Sequence, residues 1–151
     1  MERRDFLQHI GALGAAAALP AAALAKPYDP AAKLDLKVSD VHFRKNAAGR
    51  QLWARIYQPE GAGPFPMVLD LHGGAWTRKD RYAEEPMDRA IASSGVVVVA
   101  IDMTLSGEAP YPANIQDANY GVRWMKSKAR EWNADGSGVG IYGSSTGGHI
   151  A

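Results

Sequence analysis

The chain has 151 residues and a formal net charge of +1. That length suits one domain, and the near-neutral charge excludes the concentrated basic surface that nucleic-acid binding requires. The absence of cysteine from the sequence excludes disulfides, thiolate metal sites and a cysteine nucleophile. Composition alone therefore favours a globular protein over a nucleic-acid-binding or disulfide-stabilised one.

The first 25 residues have the pattern of an export signal. The pair Arg3-Arg4 precedes an apolar stretch from Ile10 to Leu24, and Ala23-Leu24-Ala25 forms a small-x-small cleavage site. The segment resembles a bacterial twin-arginine signal. Its apolar run is shorter than the ~20 residues that a membrane span needs, which favours cleavage over anchoring. We expect a mature chain that begins at Lys26 and lies in the periplasm or outside the cell.

After a predicted linker over residues 26–35, strands and helices alternate along the chain. Five segments have the alternation or the continuous apolar run of a strand, at residues 36–43, 52–57, 67–71, 96–101 and 139–142. The alternation of the first strand slips once near Asp40. Helices are predicted over residues 84–94 and 115–132, the second from apolar residues at steps of three and four. The order predicts an α/β fold, with a hairpin followed by parallel strand–helix units.

The stretch Gly143-Ser144-Ser145-Thr146-Gly147 directly follows the last predicted strand. Only Ser145 has a glycine both two positions before it and two positions after it. A nucleophile at the tip of a sharp strand-to-helix turn needs these glycines, because side chains at both positions would collide. The spacing therefore predicts Ser145 as a catalytic nucleophile.

A glycine pair follows the third predicted strand, in His72-Gly73-Gly74. Acyl transfer builds negative charge on a carbonyl oxygen, and the N–H groups of a glycine loop approach such an oxygen closely. We predict Gly73 and Gly74 as oxyanion-hole donors, together with the N–H of Thr146. Taken alone, His-Gly-Gly is equally consistent with a plain turn, but its combination with the serine motif favours the catalytic interpretation.

The stretches "LHGGAW", "VVVVAIDMTL", "YPANIQDANYGVRWM" and "YGSSTGGHIA" resemble the N-terminal half of an α/β-hydrolase, over roughly residues 36–151. The chain is most similar to serine esterases with a His-Gly-Gly oxyanion loop, in the hormone-sensitive-lipase-like and bifunctional feruloyl/acetylxylan esterase-like groups. The resemblance implies hydrolysis of short acyl esters through an acyl-enzyme, with acetyl or feruloyl groups on polysaccharide as candidate substrates. It also implies a loop-shaping role for His72, and no metal or organic cofactor.

A serine nucleophile needs a base, normally a histidine oriented by an acid. The sequence contains four histidines: His9, His42, His72 and His149. The first lies in the signal, the second in the hairpin and the third in the oxyanion loop, while His149 points back under the turn and suits a packing role. Three aspartates are interpreted as structural: Asp70, Asp102 and Asp117. The resemblance places the triad acid and histidine beyond Ala151, so we expect an N-terminal piece that is inactive alone.

Three aromatic residues, Trp76, Tyr82 and Tyr111, lie on predicted loops at the carboxyl ends of strands, where α/β sheets form ligand crevices. They are candidate pocket walls, and a role as aromatic loop anchors is equally open. Two other functions remain open. One is a serine peptidase or amidase of the prolyl-oligopeptidase type, and the other is a non-catalytic binding protein built on the hydrolase fold. The sequence carries no signal for an oligomeric state.

Overall fold

The computed structural model describes residues 29–151. The predicted signal segment and its cleavage site after Ala25 lie outside the described residues, as do the first residues of the predicted linker. From residue 29 to residue 35 the backbone forms neither helix nor strand. No helix within residues 29–151 is long and apolar enough to cross a membrane.

Five strands form one mixed sheet in the order β1-β2-β4-β3-β5. Their bounds are β1 Leu36–Lys45, β2 Gln51–Pro59, β3 Met67–Leu71, β4 Val97–Ile101 and β5 Gly140–Gly143. The first two strands pair as an antiparallel hairpin, and β2 is also antiparallel to β4. Strand β3 lies between β4 and β5 and runs parallel to both. This topology confirms the predicted α/β class, with a hairpin followed by parallel units.

Helices cover both faces of this sheet. They are α1 Glu85–Ser93, α2 Ala113–Lys128 and the short α3 Thr146–Ile150. The predicted second helix is confirmed, although its last turn, Ala129–Trp132, is a 3₁₀ helix. On one face, Leu69 and Ile101 lie within a large core cluster to which α2 contributes Met125, and on the other, Val98 packs with Ala92 of α1. Strand β4 is consequently buried along its whole length.

The predicted irregularity of β1 lies further along the strand than expected. The register shifts between His42 and Arg44, which pair with Trp53 and Leu52 respectively. The prediction of a slip near Asp40 was therefore wrong in position. The extra residue at the shift is Phe43, which is buried in the core, so the bulge allows an additional aromatic ring to face inward.

The parallel arrangement of β3 and β5 determines where the candidate site lies. Leu71 at the end of β3 pairs with Gly143 at the end of β5. Because neighbouring parallel strands end at the same edge of a sheet, the segments that begin at His72 and Ser144 emerge side by side.

Candidate active site

Ser145 occupies a strained turn between β5 and α3. Its backbone angles are φ 51° and ψ −114°, a combination that residues other than glycine rarely adopt. The turn is closed by two hydrogen bonds, since the Ser144 N–H donates to the Leu71 carbonyl (3.2 Å) and the Gly147 N–H donates to the Ser144 carbonyl (2.8 Å). The Ser145 side chain is exposed, as attack on a substrate requires.

The two glycines that flank Ser145 have no room for a side chain. A Cβ on Gly143 would lie 2.3 Å from the carbonyl carbon of Gly147, and a Cβ on Gly147 would lie 1.7 Å from the carbonyl oxygen of Leu71. Both distances are far below a van der Waals contact. Side chains at these two positions would collide with the backbone, which is the steric reason that the sequence analysis gave for predicting Ser145, rather than Ser144, as the nucleophile.

The glycine loop after β3 lies directly against this turn. A Cβ on Gly73 would stand 3.1 Å from the carbonyl oxygen of Ser144 and 3.3 Å from the Cβ of Ser145. Gly74 has φ +119°, and a Cβ there would lie 2.1 Å from the carbonyl oxygen of Arg78. The loop therefore needs both glycines, the first for close approach to the nucleophile and the second for its own sharp turn.

The three predicted oxyanion-hole donors are the N–H groups of Gly73, Gly74 and Thr146. Within residues 29–151, none of these N–H groups donates to a protein acceptor. Backbone N–H groups are normally paired when they are withdrawn from water. Unpaired amides beside an exposed, strained serine hydroxyl are the arrangement that stabilises an oxyanion.

His72 is buried next to this loop and shapes it. Its Nδ1–H donates to the carbonyl oxygen of Gly73 at 2.6 Å. Burial lowers the pKa of His72, which favours the neutral ring. These contacts support the loop-shaping role that the resemblance implied.

The other described histidines contact aromatic rings. The ring of His149 stands edge-on to Trp76, with 5.8 Å between ring centroids. The ring of His42 lies on Trp53 in the β1–β2 hairpin. His149 donates its backbone N–H to the carbonyl oxygen of Ser145 at 3.3 Å. No histidine ring within residues 29–151 hydrogen-bonds the Ser145 hydroxyl, so the structure places no general base from this part of the chain at the nucleophile.

Asp102 and Asp117 have structural partners, as the sequence analysis predicted. Asp102, just after β4, accepts hydrogen bonds from the N–H groups of Trp53 (3.1 Å) and Arg81 (3.2 Å). Asp117 on α2 accepts a hydrogen bond from the Thr104 N–H (2.6 Å) and also forms an ion pair with an arginine of β1. Asp102 therefore links the end of β4 to the backbones of β2 and of the loop after β3, whereas Asp117 fixes the backbone of the segment after β4.

An open cavity of about 300 Å³ lies beside the turn, and its lining includes Trp76, Tyr111, Ser106, Asn114 and His149. Two of the three aromatic residues predicted as pocket walls, Trp76 and Tyr111, are among them. Tyr111 is 82% exposed. The cavity is therefore walled by aromatic rings at the edge of the sheet where Ser145 lies.

Tyr82 does not line this cavity, and its contacts favour the role of a loop anchor that the sequence analysis left open. Its hydroxyl accepts a hydrogen bond from Arg81 (2.8 Å) and donates to Asp40 of β1 (3.3 Å). The guanidinium of Arg81 also lies over its ring, 4.3 Å from the centroid. These contacts hold Tyr82 against β1, which makes it an anchor for the loop.

The sequence analysis missed an ion-pair network that includes Arg81 of the loop after β3. Asp40 accepts hydrogen bonds from Arg55 (2.6 Å) and Arg81 (2.7 Å), and Arg81 also contacts Asp102 (3.3 Å). Burial acts to raise the pKa of Asp40, but the two arginines hold that pKa below its usual value. The network joins the loop after β3 to β1, to β2 and to the residue that follows β4. Its partners are separated by 15 to 41 residues, so no local pattern signalled it.

A second cluster fixes the segment after β4. Glu108 pairs with Arg50, and it accepts a hydrogen bond from the Leu105 N–H (2.8 Å). Arg50 also donates to the carbonyl oxygen of Met103 (2.8 Å). This segment supplies cavity-lining residues, so the cluster stabilises one wall of the candidate site.

The strand order, the strained serine turn and the adjacent glycine loop together define an α/β-hydrolase. The BD-FAE family model matches residues 55–151. The chain belongs to that family.

Named relatives agree with this class. The chain is 35% identical over 99 residues to "Carboxylesterase NlhH" of Mycobacterium tuberculosis, covering 64% of this chain and 31% of that protein. It is 30% identical to "Carboxylic ester hydrolase LipN" of the same species, over 81% of this chain and 32% of that protein. The chain therefore spans about a third of the length of these relatives.

Solved structures show the same likeness. The thermophilic carboxylesterase EstE1, cloned from a metagenomic library, superposes with a TM-score of 0.70 at 29% identity, over 78% of this chain and 40% of that chain. The esterase Est22 gives a TM-score of 0.69 at 29% identity, over 76% and 37% respectively.

Proposed function

We propose that this chain belongs to a serine carboxylesterase in which Ser145 is the nucleophile. The observation that carries the proposal is the exposed, strained Ser145 with Gly73 packed against it, in a loop where the N–H groups of Gly73 and Gly74 have no protein acceptor within residues 29–151. The names of its relatives, carboxylesterases and carboxylic ester hydrolases, support ester hydrolysis. We further propose that the triad acid and histidine lie outside residues 1–151.

In the proposed mechanism, the Oγ of Ser145 attacks the ester carbonyl carbon and gives its proton to the triad histidine. The tetrahedral oxyanion is stabilised by the N–H groups of Gly73, Gly74 and Thr146, each contributing ~3–4 kcal/mol to transition-state stabilisation. The oxyanion then expels the alcohol, which takes the proton, and an acyl-enzyme forms on Ser145. Attack by water releases the acid and restores the hydroxyl.

For the substrate, we propose a short acyl ester, with acetyl or feruloyl groups on polysaccharide as the specific candidates. The cavity of about 300 Å³ falls at the small end of ligand pockets. Trp76 and Tyr111 offer rings against which an aromatic acyl group would stack. Among the relatives, one is named "Versiconal hemiacetal acetate esterase", which supports the acetyl candidate.

Two serine variants of the complete protein test the nucleophile. Ser145→Ala is expected to lower kcat for p-nitrophenyl acetate by at least ~10³-fold, as removal of a triad serine does. Ser144→Ala is the matched control and should retain most activity, because that residue serves the turn through its backbone. The reverse pattern would mean that Ser144 is the nucleophile.

Faster turnover of an aminoacyl anilide than of the ester would indicate a peptidase or amidase, and no turnover of either would indicate a binding protein.

We also propose that the protein is exported through its N-terminal segment, on the sequence pattern of residues 1–25. A twin-arginine system reads both arginines, so the double change Arg3→Lys and Arg4→Lys should retain the protein in the cytoplasm with its N-terminus uncleaved. Mass spectrometry of the exported wild type should give Lys26 as its first residue. An exported double variant cleaved at the same site would contradict the twin-arginine assignment.

A further inference from the structure

A second, much smaller cavity lies between the glycine loop after β3 and the segment after β4. Its volume is about 10 Å³, and its lining includes His72, Gly73, Thr104, Asn114 and Thr146. A cavity of this size matches the ~10–15 Å³ that one water molecule needs, and it is too small for an acyl group.

Two buried polar atoms belong to residues that line this cavity. They are the Nε2 of His72 and the Oγ1 of Thr104, and neither has a hydrogen-bond partner within residues 29–151. His72 is 3% exposed and Thr104 is 4% exposed. Buried polar groups in folded proteins are paired with protein or with ordered water, because an unpaired one is unfavourable.

The hydrogen-bonding roles of the lining groups are complementary to water. The Nδ1–H of His72 donates to Gly73, so Nε2 of the neutral ring carries a lone pair and accepts. The hydroxyl of Thr104 interacts with the carboxylate of Asp117 without a hydrogen bond of normal geometry, and its oxygen is left to accept. Asn114 uses its Oδ1 to accept from the Ile115 N–H at 2.8 Å, which leaves its amide N–H groups as donors. One water would thus donate to His72 Nε2 and to Thr104 Oγ1 and accept from the Asn114 amide, which is enough to hold it.

We propose that a water molecule in this cavity bridges His72 Nε2 and Thr104 Oγ1, which makes Thr104 a positioning residue for the oxyanion loop. The proposal rests on the proposed esterase function. The carbonyl that His72 holds, that of Gly73, belongs to the same planar peptide unit as the N–H of Gly74. Fixing one end of this unit therefore fixes the direction of a predicted oxyanion donor.

The bridge has a rigid support on its other side. The N–H of Thr104 donates to the buried carboxylate of Asp117 at 2.6 Å, and Asp117 also pairs with Arg44 at 3.0 Å. The chain of contacts runs from α2 through Thr104 and the water to His72 and the Gly73–Gly74 peptide. Helix α2 and the oxyanion loop, which are distant in sequence, are thereby coupled through one hydroxyl group.

The test compares Thr104→Val, which keeps the shape of the side chain but lacks the hydroxyl, with Thr104→Ser, which keeps the hydroxyl. In the complete enzyme, Thr104→Val should lower kcat for p-nitrophenyl acetate about tenfold, less than the ~10²–10³-fold loss of a direct oxyanion donor. KM should stay within about twofold, because the oxyanion forms only in the transition state. Thr104→Ser should restore kcat to within about twofold of the wild type.

A crystal structure of the complete enzyme supplies a readout that does not depend on activity. We expect an ordered water within hydrogen-bond distance of His72 Nε2 and Thr104 Oγ1 in the wild type, and none there in Thr104→Val. An equally low kcat in both variants would show that packing matters rather than the hydroxyl, and a dry wild-type cavity would overturn the bridge. If the wild type hydrolysed no ester, the proposed function would fail, while the crystal structure would still decide the water site.

Discussion

At the scale of single residues, the candidate site depends on close backbone contacts at Gly143 and Gly147. The backbone conformation of Ser145 is of a kind that costs ~1–3 kcal/mol and persists only where the surroundings enforce it. In this turn the neighbouring backbone imposes the conformation, since Gly147 is buried against the carbonyl oxygen of Leu71. The turn therefore cannot relax without displacing β3 or α3.

Gly147→Ala tests this enforcement. The new Cβ would lie 1.7 Å from the Leu71 carbonyl oxygen, so the variant of the complete protein should lose at least ~3 kcal/mol of unfolding free energy, the upper end of ordinary overpacking. Urea unfolding measures the loss. Gly107→Ala is the matched control, because a Cβ there meets nothing within 4 Å, and it should unfold like the wild type. A normal urea midpoint for Gly147→Ala would show that the turn is looser than its geometry indicates.

At the scale of elements, the face of the sheet under α1 contains buried acids. Asp88 on α1 accepts a hydrogen bond from the hydroxyl of Tyr142 on β5. Asp70 on β3 has no hydrogen-bond partner for its side chain within residues 29–151. Burial, and then the charge of Asp88, raise the pKa of Asp70 to about 8, and burial raises that of Asp88 to about 6. The packing of three elements thus favours protonated carboxyl groups.

These pKa values predict how stability depends on pH. Folded Asp70 keeps its proton up to about pH 8, whereas the unfolded side chain loses it near 3.8. The folded state therefore binds more protons in this range, and the free energy of unfolding falls as the pH rises from about 4 to 8.

Asp70→Asn removes this titration from the protein. It should exceed the wild type by more than ~2 kcal/mol at pH 8, since each unit of pKa difference corresponds to ~1.4 kcal/mol, and should differ little at pH 4. Urea unfolding at both pH values measures the difference. The exposed Asp29→Asn is the control. A wild type and an Asp70→Asn variant with the same pH dependence would show that Asp70 is ionised in the folded protein.

Also at the scale of elements, the sequence analysis predicted correctly those strands and turns that local residue patterns determine. Strand β3 agreed with its predicted bounds because a short apolar run suits a strand buried on both faces. The Ser145 turn was predicted because its steric requirement acts over two residues on each side. The role of Tyr82 stayed open in the sequence analysis because its position depends on Asp40, which is 42 residues away. The water-sized cavity at His72 and Thr104 likewise requires two loops to be brought together by the sheet.

At the scale of the whole molecule, the two edges of the sheet differ in character. Strand β1 forms one edge and contains Lys37, Arg44 and Lys45. Such charges protect an edge from pairing with other chains. Strand β5 forms the other edge, pairs only with β3 among the described strands, and has the uncharged sequence Gly-Ile-Tyr-Gly. Ile141 on this strand is 41% exposed, so this edge is open to further strand pairing.

We therefore expect residues 26–151, produced alone, to aggregate or to fold incompletely. The uncharged β5 edge offers unpaired N–H and C=O groups to other copies of the chain. The segment should also hydrolyse p-nitrophenyl acetate no faster in the wild-type form than with Ser145→Ala, since no described histidine ring hydrogen-bonds the Ser145 hydroxyl. Sedimentation, thermal unfolding and esterase assays of the segment beside the complete protein measure these properties. A soluble segment with cooperative unfolding would show that β5 tolerates an open edge, and Ser145-dependent turnover would show that a base within residues 26–151 serves the nucleophile.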